Sequence, residues 1–229
     1  MKILAVIPAR SGSKRLPGKN KLLLSGIPLI QWTLESARQV PEITDILIST
    51  DDPEIIQMCQ GVDVLTPWLR PPELATNEAE TIDVLLHAID WYESKIGELG
   101  GVMLLQPTSP FRKSETIRRA IEIFKNNGNS AVVSFSPLHG SVTWVYTQSD
   151  NGLLPVSYVN QKALDHTSVE LIINGVIYIA TPEQLRRDRS FITTSTSALV
   201  MDQSRETIDI DTPWDFELAQ SLDRLNNSN

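Results

Sequence analysis

Buried strands and amphipathic helices alternate along the first half of the chain, and this alternation constrains the fold more than any other feature. Short apolar runs rich in β-forming residues predict strands at residues 2–7, 46–50, 62–65 and 102–105. Helices are predicted between them, from Pro28 to Pro41, from Asp52 to Gly61, and from a cap at Asn77 to about Lys95. A β-α-β order with connections of this length predicts a parallel sheet with right-handed crossovers.

The second half resumes the same pattern. Ser114 is expected to cap a helix over residues 115–125, and strands are predicted at residues 131–135, 171–180 and 197–201. Thr181-Pro182-Glu183 opens a short helix. Thr212-Pro213-Trp214-Asp215 supplies a cap, a first-turn proline and a capping acid for the last helix.

Residues 137–170 interrupt the pattern. They contain Trp144, Tyr146 and the hairpin-turn pair Asn151-Gly152, and they are interpreted as a small dimerisation or lid insertion. The α/β pattern on either side of this insertion predicts a single domain over residues 1–229, with the insertion inside it. Its expected fold is a three-layer α/β/α arrangement around a mostly parallel, Rossmann-like sheet.

Composition limits the classes of function. The chain has 229 residues, 21% of them charged, and a net charge of −8, so a nucleic-acid binder, which needs a basic face, is not expected. The one cysteine, Cys59, cannot form an internal disulfide and is predicted to fill the core. No apolar run reaches the length of a membrane span, and residues 2–7 are too short for a signal segment, so we expect a cytoplasmic protein.

A cationic loop follows the first predicted strand. Residues 9–21 hold two glycines and five Lys or Arg residues in a chain that is acidic overall. Such a loop has spare backbone N–H groups and enough positive charge to match a polyphosphate. A Walker loop does not fit, because Gly12 and Gly18 are one residue too far apart and Asn20 stands where a hydroxyl should follow Lys19. We predict a phosphate-binding loop of another design; a solvated basic turn is the alternative.

Two carboxylates near the other end of the chain suit a metal ion. Residues 208–211, Ile-Asp-Ile-Asp, are predicted to form an extended strand, so that Asp209 and Asp211 point the same way. Mg²⁺ prefers one or two carboxylates together with phosphate oxygens and waters. Beside a phosphate loop the pair predicts a magnesium site, whereas by itself Asp211 could merely cap the last helix.

The cationic loop resembles the signature loop of the acylneuraminate (CMP-sialic acid or nonulosonic acid) cytidylyltransferases. The shared pattern is Ile7-Pro8-Ala9-Arg10-x-Gly12-Ser13-Lys14, followed by Lys19-Asn20. Four further segments resemble the same family, at residues 70–81, 104–112, 174–178 and 208–211. These enzymes have the nucleotide-diphospho-sugar transferase fold, and they use CTP to activate a nine-carbon 2-keto sugar acid.

The resemblance implies roles for individual residues. The nucleotide would be bound by Ala9, Arg10, Gly12, Ser13, Lys19, Asn20, Arg70, Ala79 (through its backbone) and Thr81. The sugar acid would be bound by Gln106, Thr108, Ser109, Arg112, Asn174 and Tyr178. Catalysis would depend on Arg10, Lys19, Asp209 and Asp211, with Mg²⁺ on the two aspartates. The resemblance also implies a homodimer.

By this resemblance, the C2 hydroxyl of the sugar attacks the α-phosphorus of CTP and pyrophosphate leaves. Such a transfer needs positioning and charge neutralisation more than covalent chemistry. No protein base is evident, because His87 lies on the polar side of its predicted helix and His139 and His166 lie in the insertion.

The sugar half departs from the family pattern. The family's usual cations after the S-x-P segment and before Asn174 are missing, and Lys162 is the only Lys or Arg in the insertion. A carboxylate normally wants a cation or several donors, so the substrate could be a legionaminic- or pseudaminic-type sugar instead of sialic acid. The alternatives are a 3-deoxy-manno-octulosonate cytidylyltransferase, a relative that uses GTP, a nucleotide sensor without transfer activity, and a scaffold dimer.

Overall fold

The computed structural model describes residues 1–138, 146–149, 152–155, 170–201 and 205–227. The strands of these parts are β1 (Ile3–Pro8), β2 (Leu23–Leu24), β3 (Ile27–Pro28), β4 (Asp45–Ser49), β5 (Gly101–Leu104), β6 (Val132–Pro137), β7 (Tyr146–Ser149), β8 (Gly152–Pro155), β9 (Leu171–Ala180) and β10 (Ser197–Val200). The α-helices are α1 (Leu29–Arg38), α2 (Pro53–Met58), α3 (Thr81–Lys95), α4 (Ser114–Asn126), α5 (Pro182–Asp188) and α6 (Pro213–Asn227).

Six strands form one sheet in the order β10-β6-β9-β5-β1-β4. The pairs β1/β4, β1/β5 and β10/β6 are parallel, whereas β9 runs antiparallel to both β5 and β6. The mostly parallel sheet is therefore confirmed. Because β9 is reversed, its first half lies at the edge where β5 and β6 end.

Helices cover both faces of the sheet, as the three-layer prediction requires. One apolar core packs β1 residues such as Ala5 and Ile7 against α1 and α4. A second core packs Leu4 and Val6, from the opposite face of the same strand, against α3 and α5. The period-2 alternation of a strand thus supplies both cores from one segment.

A third, smaller apolar cluster lies at the edge where the parallel strands end. It joins Leu16 of the cationic loop, Phe111 after β5 and Ile210 before α6, together with Leu24, Leu29 and Ala219. This third cluster brings three segments that are distant in sequence to one place.

Four sequence predictions about local structure are wrong. Residues 62–65 form no strand, because Leu65 makes only an isolated bridge to Leu47. Asn77 does not cap α3, which begins at Thr81 after Glu80 with no side-chain cap. Ser114 is already inside α4; the carboxylate of Glu206 accepts hydrogen bonds there from Lys113 N–H and Thr116 Oγ1. Residues 208–211 are not a strand.

The predicted starts of α2, α5 and α6 are confirmed. Asp52 accepts from Glu54 N–H at 2.9 Å and Thr181 accepts from Gln184 N–H at 3.1 Å. At α6, Asp215 Oδ2 accepts from Thr212 N–H while Thr212 Oγ1 accepts from Asp215 N–H, which is a reciprocal capping box. Asp211 is therefore not the cap of the last helix.

The proposed insertion lies largely outside the described residues. Within the described parts, β7 and β8 pair antiparallel and their register closes on Ser149 opposite Gly152. That pairing agrees with the hairpin predicted from Asn151-Gly152. Its role as dimer arm or lid stays a prediction.

Candidate active site

The cationic loop leaves the end of β1 and is tied to the neighbouring strand. Ala9 N–H donates to Ser49 O at 2.9 Å, and both the N–H and the hydroxyl of Ser11 donate to Asp51. Gly18, with φ of +65°, precedes a single 3₁₀ turn at Lys19–Lys21. A left-handed φ suits glycine here, and no α-helix begins until Leu29. The loop is thus distinct from a Walker loop, as predicted.

The loop forms one wall of a cavity of about 250 Å³. Five basic residues and one carboxylate line it: Arg10, Lys14, Arg15, Lys19, Arg70 and Asp211. The other lining residues include Ser13, Asn20, Thr76, Ala79, Thr81, Gln106 and Thr108. The excess of positive charge makes this cavity suitable for a polyanion.

The carboxylate of Asp211 reaches the cationic loop across the cavity. Lys19 Nζ lies 2.7 Å from Asp211 Oδ1, and the Arg15 guanidinium pairs with Oδ2. Lys21, by contrast, lies 2.9 Å from Asp52 and Glu54, and these contacts raise its pKa. Lys21 is therefore engaged at the start of α2, whereas Arg15 and Lys19 face the acidic segment.

The third apolar cluster holds the acidic segment against the loop. Ile210 is fully buried in it with Leu16 and Phe111, and Ile210 N–H donates to Thr108 O at 2.8 Å. The aspartates on either side of Ile210 therefore have their backbone fixed. In addition, Asp211 N–H donates a hydrogen bond to the Asp215 carboxylate at 3.0 Å.

A second cavity of about 450 Å³ adjoins the first and contains Asp209. It is lined by Gln106, Ser136, Ile172, Ile173, Asn174, Gly175, Tyr178, Thr207 and Asp209. Gln106 lines both cavities, and the two aspartates lie one in each. The acidic segment thus stands where the two cavities meet.

The electrostatics of Asp209 show that these groups are close to one another. Desolvation of its carboxyl raises the pKa of Asp209, and the charge of Asp211 raises it further. The charge of Lys19 and the Thr108 hydroxyl oppose this shift. Burial, followed by the charge of Asp209, likewise raises the pKa of Tyr178. The loop, the acids and β9 therefore belong to one site.

Most of the residues expected to bind the nucleotide line the first cavity. Arg10, Ser13, Lys19, Asn20, Arg70, Ala79 and Thr81 do so. Ala9 and Gly12 are not among its lining residues, and Ala9 is fully buried beneath the loop. Asn20 is held by a 3.0 Å bond from its Nδ2 to Arg10 O. Burial lowers the pKa of Arg70 to about 10, and its guanidinium is anchored on Ser49.

Two residues expected to bind the sugar lie beneath the cavities instead of lining them. Arg112 is only 3% exposed, and it donates to Gln106 O at 2.7 Å and to Val176 O at 2.8 Å. Burial lowers its pKa to about 9, against the opposing charge of Glu206. Ser109 is fully buried. Arg112 therefore positions Gln106 and β9 from below.

Asn174 lines the second cavity, but its amide is occupied by the protein. Its Oδ1 accepts from Ser134 Oγ at 2.6 Å and from Val176 N–H at 3.2 Å, and its Nδ2 donates to Ser136 Oγ at 3.0 Å. Gly175 follows with φ of +79°, at an irregular stretch of the β6/β9 register. Asn174 thus shapes this irregular stretch of strand.

Sequence reasoning missed several residues of the site. The sequence marks Arg15 only as one cation of a basic loop, and its contact with Asp211 spans 196 positions, which no local pattern indicates. A third cavity of about 260 Å³ next to Tyr178 and Gln106 has a mixed lining that includes Leu104, Arg189, Ser190, Phe191 and Ile192. Phe191 and Ile192 lie in a loop after α5, where nothing in the sequence marked a function.

The family of the chain follows from comparison with known proteins. The family model described as Cytidylyltransferase matches residues 4–212. The chain belongs to the cytidylyltransferase family. The match spans both the cationic loop and the acidic segment that meet in the first cavity.

Three curated relatives within this family have a named activity. The chain is 41% identical over 228 residues to the CMP-N,N'-diacetyllegionaminic acid synthase of Legionella pneumophila, covering 99% of this cytidylyltransferase and 98% of the relative. It is 26% identical to the pseudaminic acid cytidylyltransferase of Campylobacter jejuni, covering 99% and 98%. It is 36% identical to an N-acylneuraminate cytidylyltransferase of Streptococcus agalactiae, covering 94% of the chain and 52% of that relative.

Solved structures show the same fold. A CMP:2-keto-3-deoxy-manno-octonic acid synthetase complexed with CTP superposes with a TM-score of 0.71 at 20% identity, covering 99% of this chain and 100% of the other. A 4-diphosphocytidyl-2C-methyl-D-erythritol synthase from Anaerococcus prevotii gives 0.65 at 16% identity, covering 97% and 98%. No helix in the described part of this cytidylyltransferase is long and apolar enough to cross a membrane.

Proposed function

We propose that this cytidylyltransferase is a CMP-nonulosonic acid synthase that transfers CMP from CTP to a nine-carbon 2-keto sugar acid and releases pyrophosphate. The observation that carries the proposal is the junction of two cavities at residues 209–211. One cavity is lined by five cationic side chains, a charge that suits a triphosphate, and the other contains Asp209 and adjoins β9. The full-length similarity to a CMP-N,N'-diacetyllegionaminic acid synthase supports the same activity.

The nucleotide is expected in the cationic cavity. Arg10, Ser13 and Lys19 line it and would bind the phosphates, and their positive charge would stabilise the departing pyrophosphate. Asn20, Arg70, Thr81 and the backbone of Ala79 would contact cytosine and ribose. Arg10 at present donates to Thr76 O at 2.6 Å, which links the phosphate loop to the segment that would hold the base.

Asp209 and Asp211 are the residues that would hold Mg²⁺. Within the described residues no cluster of three or more His, Cys, Asp or Glu side chains could form a metal site. Two carboxylates beside a phosphate cavity suit Mg²⁺, which keeps waters and takes phosphate oxygens as further ligands. When bound, the ion would lower the pKa of the attacking hydroxyl and neutralise phosphate charge. The protein's own part would be to hold the two reactants next to each other, where Gln106 lines both cavities.

The sugar acid is expected in the second cavity, which Gln106 and Tyr178 line, whereas Thr108 lines the first cavity. The third cavity lies beside Tyr178, and its lining combines Leu104, Phe191 and Ile192 with the polar residues Thr81, Arg189 and Ser190. The acetyl groups of a di-N-acetylated sugar would match such a surface, because burial of a methyl group is favourable. We therefore propose an N,N'-diacetyllegionaminic-type acid as the substrate.

A homodimer is proposed for the assembled enzyme. At the start of β9, Leu171, Ile172 and Ile173 are 36%, 52% and 44% exposed, and they adjoin the insertion. Adjacent exposed aliphatic side chains favour coverage by a partner. The molar mass from light scattering of the full chain tests this: twice the monomer mass is expected.

The experiment that tests the function is pyrophosphate release with a matrix of nucleotides and sugar acids. CTP with a di-N-acetylated legionaminic acid should give the highest kcat/KM, and the activity should require a divalent cation. Faster turnover with 3-deoxy-manno-octulosonate, or with GTP, would contradict the proposal. CTP binding without turnover of any sugar acid would indicate a nucleotide sensor instead.

A further inference from the structure

The carboxylate of Asp211 forms ion pairs with two cationic side chains. Its Oδ1 receives Lys19 Nζ at 2.7 Å, and its Oδ2 receives the Arg15 guanidinium. The Lys19 side chain is 17% exposed and that of Arg15 is 68% exposed. A divalent cation on Asp211 would lie beside both positive charges, and like charges at this range repel. In the nucleotide-free protein the aspartate is thus a poor metal ligand.

Arg15 lines the same cavity as the expected phosphate ligands. Its planar guanidinium can bind phosphate oxygens with two parallel hydrogen bonds, as it binds a carboxylate. A bound triphosphate presents several negatively charged oxygens within this cavity. It therefore competes with the single carboxylate of Asp211 for both cations.

We propose that Arg15 is a nucleotide ligand that exchanges partners, pairing with Asp211 before the nucleotide binds and with its phosphate oxygens afterwards. The exchange releases Asp211 for the metal ion, so nucleotide and metal bind with positive coupling. By linkage, each raises the affinity of the other by the same factor. This inference deepens the proposed function and rests on it for the identity of the nucleotide.

The other cations of the loop supply a matched control. Lys21 is engaged with Asp52 and Glu54, and Arg10 donates to Thr76 O. Lys14 lines the cavity but makes no ion pair with any described residue. Lys14→Gln therefore removes the same charge from the same loop without removing a contact to Asp211.

The first test measures Mn²⁺ binding by electron paramagnetic resonance in the full-length protein without nucleotide. Arg15→Gln should bind Mn²⁺ about two- to five-fold more tightly than the wild type, the range that an exposed ion pair implies. Arg15→Lys should stay near the wild type, and Lys14→Gln should change by less than half as much. Equal affinities in Arg15→Gln and wild type would overturn the exchange, and so would an equal effect of Lys14→Gln.

The second test measures CTP binding by calorimetry in EDTA. Arg15→Gln should weaken binding about five- to thirty-fold, and Arg15→Lys should restore part of the loss. An unchanged CTP affinity in Arg15→Gln would overturn the role of Arg15 as a ligand. Failure of the wild type to bind CTP would contradict the proposed function instead, whereas the Mn²⁺ test contains no nucleotide and judges the Arg15–Asp211 contact independently.

Discussion

Lys19 and Asp211 are 192 positions apart in the sequence, yet Nζ of one lies 2.7 Å from Oδ1 of the other. The contact joins the loop after the first strand to the segment before the last helix. Both segments lie at the same edge of the sheet, where Leu16 and Ile210 pack in the third apolar cluster. One nucleotide can therefore contact the cationic loop and the acidic segment at once.

Replacing Asp211 tests the acidic segment. Asp211→Asn should fold, with a change in unfolding free energy below about 1 kcal/mol, because its ion pairs are partly exposed. The kcat for pyrophosphate release should fall by about 10³-fold, because an amide is a poor ligand for the divalent cation that would neutralise the phosphate charge. Asp188→Asn, which breaks an exposed pair with Arg187, is the control and should keep its turnover. A fully active Asp211→Asn enzyme would exclude this carboxylate from catalysis.

Arg112 is predicted to act through positioning. Arg112→Met leaves Gln106 O and Val176 O without a buried donor, so unfolding free energy should fall by about 2–4 kcal/mol. Arg112→Lys should recover part of the stability, and its KM for the sugar acid should rise more than its KM for CTP. Chemical denaturation and steady-state kinetics measure these effects. Arg118→Met, on the exposed side of α4, should change stability by less than about 0.5 kcal/mol; a similar loss there would contradict a specific role for Arg112.

His87 should make the protein acid-sensitive. Burial lowers the pKa of His87, because the ring packs edge-on against Trp68. The positive charge of Arg70 lowers this pKa further, whereas the negative charges of Asp90 and Glu73 raise it. A depressed folded pKa means that the unfolded chain binds more protons below about pH 6.5, so stability is lost as pH falls through that range. The loss of unfolding free energy between pH 7.5 and 5 should be smaller in His87→Gln. Equal losses in both proteins would show that His87 does not titrate differently on unfolding.

The thiol of Cys59 should be unreactive toward alkylating reagents in the folded protein. Its side chain is buried, and burial raises the pKa of its thiol, so the thiolate that would react is disfavoured. Native enzyme treated with iodoacetamide at pH 7.5 should retain its turnover, with no mass shift. Rapid alkylation with loss of activity would contradict the predicted core position.

The features that sequence predicted best are those set by local chemistry. Strand and helix alternation gave the layers, and Thr212 with Asp215 gave a capping box that the structure contains. The cationic composition of residues 9–21 predicted the basic lining of the first cavity. Each of these follows from residues close together in the chain.

The features that sequence missed depend on distant partners. Residues 62–65 look like a strand, but only Leu65 finds a neighbour, in Leu47. Arg112 looks like a substrate ligand until its three acceptors, Gln106 O, Val176 O and Thr33 Oγ1, are known. Glu206 caps α4 from 90 positions away, where no local motif could indicate it.

The reversed direction of β9 has a further consequence. The chain returns from residues 139–169 directly into Leu171–Ile173, and within a few residues it reaches Tyr178 in the second cavity. If β9 were parallel to its neighbours, the chain would enter it from the opposite edge of the sheet, and Leu171–Ile173 would lie far from the second cavity. Ile172 and Ile173 line the second cavity but not the first, so substitutions there should reshape the second cavity and leave the lining of the cationic one as it is.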